Sequence, residues 1–227
     1  MNVVYNMDCM DGMKDYPDNH FELAIVDPPY GIKSEKGTNA KMGLYKSNAW
    51  TEPSKTYKYD IIKEWDKTAP KKQYFMELKR ISQNLIIWGG NYFTDYLPPN
   101  NGWIVWDKKT TNKIFSPFEM AWTSFSKPRI FRFLMEGYKK EKQEDYRFGR
   151  IHPTQKPQTM YKWLLQNYAK PGDKILDTHV GSGSSRIACH EMGFDFTGYE
   201  IDKDYFDAQE ERFYHATRQK ELFNVSL

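Results

Sequence analysis

An acidic residue, two prolines and a tyrosine, Asp27-Pro28-Pro29-Tyr30, follow directly on the apolar run Glu22 to Val26. The prolines forbid both a continued strand ladder and a helix, so the backbone is stiff at this point. Neither proline carries an N–H, which leaves their carbonyls as fixed acceptors beside the Asp27 carboxylate. An amino group on an aromatic ring would find partners there for both of its hydrogens. Such a group is a poor nucleophile because its lone pair is delocalised into the ring. Acceptors placed out of the ring plane draw the N–H bonds toward tetrahedral geometry and localise that lone pair, a preorganised electrostatic effect. The nitrogen can then attack a sulfonium methyl in line. Tyr30 offers a face on which an extracted base stacks, and Asp27 is a candidate acceptor for the proton released afterwards. The plainer alternative is a rigid exit from a strand; the position immediately after an apolar run favours the chemical reading.

A second set of residues suits a nucleotide-like ligand. Lys174 to Asp177 reads as a strand, and Thr178-His179-Val180-Gly181-Ser182-Gly183-Ser184-Ser185 leads from it into a helical run. A strand, a glycine-containing turn and a helix let a ligand approach the backbone at a helix N-terminus. The turn lacks the G-K-[ST] of a phosphate-binding loop and the third glycine of a full dinucleotide fingerprint. The next strand ends at Glu200, where an acidic side chain can bind both hydroxyls of a ribose. His152-Pro153-Thr154-Gln155-Lys156-Pro157 offers a hydroxyl, an amide and an ammonium to a carboxylate such as the methionine end of S-adenosylmethionine. His152 has no second His or Cys at ligand spacing, so no metal site is expected. Cys9 and Cys189 form no C-x-x-C pair, which argues against a zinc site or a disulfide framework.

These residues need a scaffold, and the pattern around them supplies one. β-type runs stand at VVYN near the start, Glu22 to Val26, Asn84 to Gly89, Gly102 to Trp106, around Met120 to Phe125, Lys174 to Asp177 and Phe196 to Glu200. Helical spacing marks residues 71–82, 158–169 and 185–192, and the tail from Asp204 reads as one charged helix. The alternation predicts an α/β fold with a mostly parallel sheet covered on both faces. In such sheets ligands bind beyond the carboxyl ends of the strands. Residues 31–60, polar and directly after a strand end, suit a substrate loop.

At 227 residues, a single domain spanning the chain is expected. The net charge of +3 does not by itself mark a nucleic-acid binder. Residues 127–150 say more: eight Lys or Arg stand against four Asp or Glu, interleaved with Phe131, Phe133, Tyr138, Tyr146 and Phe148. That mixture fits phosphate contacts with stacking, and equally a solvated helix face. With a hydrophobic fraction of 39% and no apolar run long enough to span a bilayer, no membrane association is expected. The start, MNVVYNMDCMDGM, has no secretory pattern, so a cytoplasmic protein is expected.

Taken together and in this order, Asp8 with Cys9, Asp27 to Tyr30, the stretch N-L-I-I-W-G-G-N, H-P-T-Q-K-P, the turn from Asp177 to Ser184, and Glu200 resemble the β-class of DNA amino-methyltransferases. In that class the D-P-P-Y motif precedes the cofactor-binding glycine motif. The resemblance implies a Rossmann-like S-adenosylmethionine-dependent methyltransferase fold, with a seven-stranded sheet containing one antiparallel strand in circularly permuted motif order. It implies catalysis at Asp27, Pro28, Pro29 and Tyr30. It places the cofactor adenine at Asp8 beside Cys9, and the methionine end at Thr154 and Lys156. Asp177, His179, Gly181, Ser182 and Gly183 then form the cofactor turn, and Glu200 binds the ribose. The family commonly has Asp-Pro-Phe where this chain has Asp177-Thr178-His179, which puts the cofactor affinity and pH response at His179 in question.

D-P-P-Y goes more with adenine N6 in that family and S-P-P-Y more with cytosine N4, so transfer to adenine in double-stranded DNA is expected. The alternatives are cytosine N4, an RNA base, or a catalytically silent DNA-binding protein on the same fold. A carbon-5 cytosine enzyme needs a nucleophilic Cys, usually after a Pro, and neither Cys here follows one. Target recognition is assigned to residues 107–150. The resemblance also brings a homodimer and a cognate restriction nuclease into view as partners.

Overall fold

The computed structural model describes residues 1–31, 68–110, 116–136, 139–140, 151–152 and 154–224. The expected substrate loop, 31–60, therefore lies outside the described residues except for Gly31, and so does much of the later half of segment 107–150.

Eight strands form one sheet in the order β1-β10-β9-β2-β3-β5-β4-β6. These are β1 (Asn2–Tyr5), β2 (Phe21–Val26), β3 (Ser82–Trp88), β4 (Ile104–Asp107), β5 (Phe118–Thr123), β6 (Arg129–Arg132), β9 (Lys174–Asp177) and β10 (Asp195–Tyr199). The short pair β7 (Met135–Glu136) and β8 (Lys139–Lys140) stands apart from it. Only β5 runs against the others: it is antiparallel to both β3 and β4, while the remaining pairings are parallel. The expected single antiparallel strand is present, and the sheet has one strand more than the seven expected. The extra one is the edge strand β6, which lies within the basic-aromatic segment.

Helices α1 (Cys9–Met13), α2 (Lys72–Ile81), α3 (Gln158–Tyr168), α4 (Ser184–Met192) and α5 (Lys203–Asn224) complete the described elements. Strand periodicity divides the core between the two faces of the sheet. On β2 and β3, Leu23, Ile25, Ile86 and Trp88 join Met160 and Leu164 of α3 and Ala188 of α4. The alternate residues Ala24, Val26, Leu85 and Ile87 join Phe75, Leu78 and Ile81 of α2. Both faces are therefore apolar, which is why these strands read as continuous apolar runs rather than alternating ones. Among the described residues no helix is long and apolar enough to cross a membrane.

Chain order reverses between β9 and β2. From β9 the chain crosses over to β10 on one side, and from β2 it crosses to β3 on the other. Loops leaving the carboxyl ends of these two strands therefore diverge and open a crevice between them. The loop after β2 is Asp27-Pro28-Pro29-Tyr30 and the loop after β9 is Thr178 to Gly183.

Candidate active site

A cleft of about 440 Å³ opens at this point. Its walls include all four residues of the β2 loop, with Asp8, Cys9, Thr154, Lys156, His179, Gly181 and Glu200. The sheet thus brings together eleven of the fourteen expected site residues from five separate stretches of chain. Asp177, Ser182 and Gly183 stand behind the lining.

The three residues set back from the cleft shape the turn. Asp177 is buried at the end of β9 and accepts from the Ser185 hydroxyl at 2.6 Å and from the His179 N–H at 3.0 Å. Burial pushes its carboxyl up to about 7. The Ser182 carbonyl accepts from the buried guanidinium of Arg212 on α5 at 2.6 Å, and the same Arg212 nitrogen donates to the Ser184 hydroxyl at 3.0 Å. Gly183 has a φ of +73° and caps α4, a conformation that disfavours any residue with a Cβ. These contacts fix the course of the turn and the aim of its backbone N–H groups.

Glu200 closes the other side of the turn. One of its oxygens accepts from the Gly181 N–H at 2.8 Å and the other from the Asp202 N–H at 2.9 Å. Burial pushes this carboxyl up to about 7, against the lowering effect of those two N–H groups. Each oxygen retains acceptor capacity. Asp8 caps α1 by accepting from the Met10 N–H at 2.8 Å. Burial first and Asp8 second push the neighbouring Cys9 thiol up to about 12, which leaves it protonated and inert.

His179 stands where the resembled family has a phenylalanine, and it packs as an aromatic residue does. Its ring meets Tyr74 of α2 edge-on at 5.6 Å. Its Nδ1 lies 2.9 Å from the Thr178 hydroxyl, which lies 2.6 Å from the Tyr74 hydroxyl. Burial lowers its pKa to about 4, so the imidazole is neutral at ordinary pH. His152 packs against Tyr205 at 4.4 Å and its Nδ1 lies 3.1 Å from the Thr154 hydroxyl.

The β2 loop carries a network that local sequence does not reveal. Tyr30 donates its hydroxyl to Asp27 Oδ1 at 2.7 Å, and its ring stacks on that of Tyr92 at 5.1 Å and 22°. Lys156 Nζ donates to Asp27 Oδ2 at 2.6 Å and lies 3.1 Å from Glu119 Oε2. Lys108 Nζ holds the other Glu119 oxygen at 2.5 Å. Burial alone would raise the Glu119 carboxyl, but Lys156 and Lys108 outweigh it and hold it at about 2. Burial alone would likewise depress Lys156, and Asp27 and Glu119 reverse this and raise it above the usual lysine range. The ammonium of Lys156, expected at the methionine end of a cofactor, lines the cleft and faces two carboxylates. Glu119 was not expected. It sits on the antiparallel strand, and nothing in its neighbours along the chain distinguishes it from a surface carboxylate.

The family model described as DNA methylase, for N6 and N4 amino-methyltransferases, matches residues 21–211, from the start of β2 into α5. The chain belongs to the DNA methylase family. The methylase is 25% identical to the type II methyltransferase M.HinfI of Haemophilus influenzae, over 93% of this chain and 68% of that protein. It is 27% identical to M.HpaI of Haemophilus parainfluenzae, over 88% of this chain and 70% of that protein. Its fold is shared with M1.HpyAVI in complex with SAM, at a TM-score of 0.57, 18% identity and coverage of 93% and 100% of the two chains. It is shared equally with the cytosine-N4-specific PvuII DNA methyltransferase, at a TM-score of 0.57, 12% identity and coverage of 95% and 91%.

Proposed function

We propose that this DNA methylase transfers a methyl group from S-adenosylmethionine to the exocyclic N6 of an adenine turned out of double-stranded DNA. The observation that carries this reading is the meeting of the Asp27 carboxylate and the glycine turn in one cleft at the switch point of the sheet. The cleft has the volume of a small-molecule site. Its donors and acceptors suit the cofactor: Glu200 would offer lone pairs to two ribose hydroxyls, Asp8 and Cys9 would take the adenine, and Thr154 would offer a hydroxyl to the methionine end. When bound, the cofactor supplies an electrophilic sulfonium methyl.

The chain's own residues then do the rest. Asp27 and the Pro28 carbonyl accept the two amino hydrogens and localise the lone pair on nitrogen. Tyr30 stacks on the base, with Tyr92 backing its ring. The half-buried, neutral His179 and the buried Tyr74 form the wall between the cofactor turn and the β2 loop. Basic side chains of segment 107–150, among them Arg129 and Arg132 on β6, serve the phosphates. The choice of adenine over cytosine rests on the resemblance to the β-class, in which D-P-P-Y goes more with adenine N6.

The test is incubation with unmethylated DNA and methyl-labelled S-adenosylmethionine, followed by digestion to nucleosides and mass spectrometry. Label in N6-methyldeoxyadenosine is the expected result. Label in N4-methyldeoxycytidine keeps the mechanism and overturns the base, and label in no deoxynucleoside despite cofactor binding turns the search to RNA. Asp27→Ala is expected to abolish turnover and leave cofactor affinity intact; loss of both together means that Asp27 is structural.

A further inference from the structure

Asp27, Lys156, Glu119 and Lys108 form a line of alternating charge from the β2 loop to the first residue past β4. In this line both oxygens of Asp27 are engaged by the protein itself, Oδ1 by the Tyr30 hydroxyl and Oδ2 by the Lys156 ammonium. A carboxylate held in this way is a poor acceptor for an arriving amino group, because the ammonium charge opposes the approach of a further polarised N–H.

Lys156 Nζ also donates to the Tyr30 hydroxyl at 3.5 Å, and its two carboxylate contacts are unequal. The one to Asp27 is a directed hydrogen bond of 2.6 Å. The one to Glu119 is an ion pair of 3.1 Å in which Nζ is not aligned as a donor to the buried Oε2. Already in contact with the ammonium and short only of alignment, that oxygen is a ready second acceptor for it. Lys108 grips the opposite oxygen and keeps Glu119 ionised and aimed. The rings of Trp88 and Tyr30, 5.4 and 6.0 Å from Nζ, add a seat for the cation that does not depend on which carboxylate holds it. Glu119 and Asp27 line the same cleft.

We propose that Glu119 is a positioning residue for methyl transfer: it takes the Lys156 ammonium as the target amino group arrives, and so releases Asp27 Oδ2 to that group. This rests on the reading of Asp27 as the acceptor of the amino hydrogens. No covalent bond changes in the hand-over, and the net charge of the cluster is conserved.

The experiment compares single-turnover methyl transfer, cofactor affinity and DNA affinity for the parent, Glu119→Gln, Lys156→Met, their double variant and Asp27→Asn. Saturating unmethylated duplex and methyl-labelled S-adenosylmethionine are used throughout. Glu119→Gln is expected to slow the single-turnover step by about tenfold or more while both affinities stay within about twofold. The double variant is expected to be no slower than Lys156→Met, because Glu119 has no task once the ammonium is gone. A parental rate in Glu119→Gln, or a further loss in the double variant, overturns the proposal. Should Glu119→Gln lose cofactor binding, Glu119→Asp carries the test: it keeps the charge but withdraws the oxygens, and a parental rate there overturns the proposal equally. Asp27→Asn separates the two claims. Full activity in that variant sinks the reading of Asp27 itself, whereas an inactive Asp27→Asn beside an unimpaired Glu119→Gln sinks only the role of Glu119.

Discussion

Glu200 is the residue at which burial and ligand chemistry pull in opposite directions. Desolvation raises its carboxyl to about 7, so below that pH the folded protein holds it protonated. Ribose hydroxyls donate most strongly to the ionised form, and binding them must therefore release a proton. Affinity for S-adenosylmethionine accordingly rises with pH through the region of 7, and titration calorimetry at about pH 6 and about pH 8 should record tighter binding at the higher pH. Asp177 is also raised to about 7, but it stands behind the lining. Glu200→Gln separates the two: it should weaken binding and flatten the profile, and a slope that persists in this variant would move the effect to Asp177. His179 presents the opposite case, since its neutral ring spans the same pH range without titrating.

At the scale of elements, the packing of β3 against the β2 loop is the tightest constraint on the catalytic motif. Gly89, just past β3, has a φ of +68°, and a Cβ there would stand 2.1 Å from the Tyr30 ring. Gly89→Ala must displace that ring, and with it the hydroxyl that holds Asp27 Oδ1. A loss of about 1–3 kcal/mol in stability and a fall in kcat larger than any change in cofactor affinity are expected, from chemical denaturation and steady-state kinetics. Helix α5 plays the corresponding part for the cofactor turn through Arg212. Arg212→Met removes the donors to Ser182 and Ser184, and should weaken cofactor binding while leaving DNA affinity in place. Equal binding by this variant in a fluorescence titration would show that the turn holds its shape without α5.

Over the whole molecule, the cleft joins the two halves of the sheet. Asp8, Thr154, Gly181 and Glu200 approach it from β1, the segment before α3, β9 and β10, and Asp27 and Tyr30 from β2. A ligand that touches all of these is linked to global unfolding rather than to one loop. Cofactor at about one hundred times its Kd should stabilise the protein by about 2.7 kcal/mol, a rise in Tm of roughly 5–11 °C for a chain of this size. A thermal shift far below this would place the ligand on a part of the structure that opens before the rest.

The sequence alone determined what chemistry requires to be contiguous. The β2 loop places a carboxylate, two donor-free carbonyls and an aromatic ring in four successive residues, and the cofactor turn needs its glycines close together after a strand, so both are legible as short motifs. The apolar runs at β2, β3 and β9 were equally plain, because strands buried on both faces carry no alternation to misread. Strand β6 was hidden: four residues with three of them exposed, Arg129, Ile130 and Arg132, read as a solvated segment, and only pairing with β4 makes them a strand. The tertiary structure alone decided which distant groups meet the motif. Lys156 reaches Asp27 across 129 residues, and Glu119, Tyr92 and Tyr74 arrive from the antiparallel strand, the turn after β3 and α2. Such partners leave no local trace, since a buried ion pair or a ring contact depends on strand order and register rather than on neighbours along the chain.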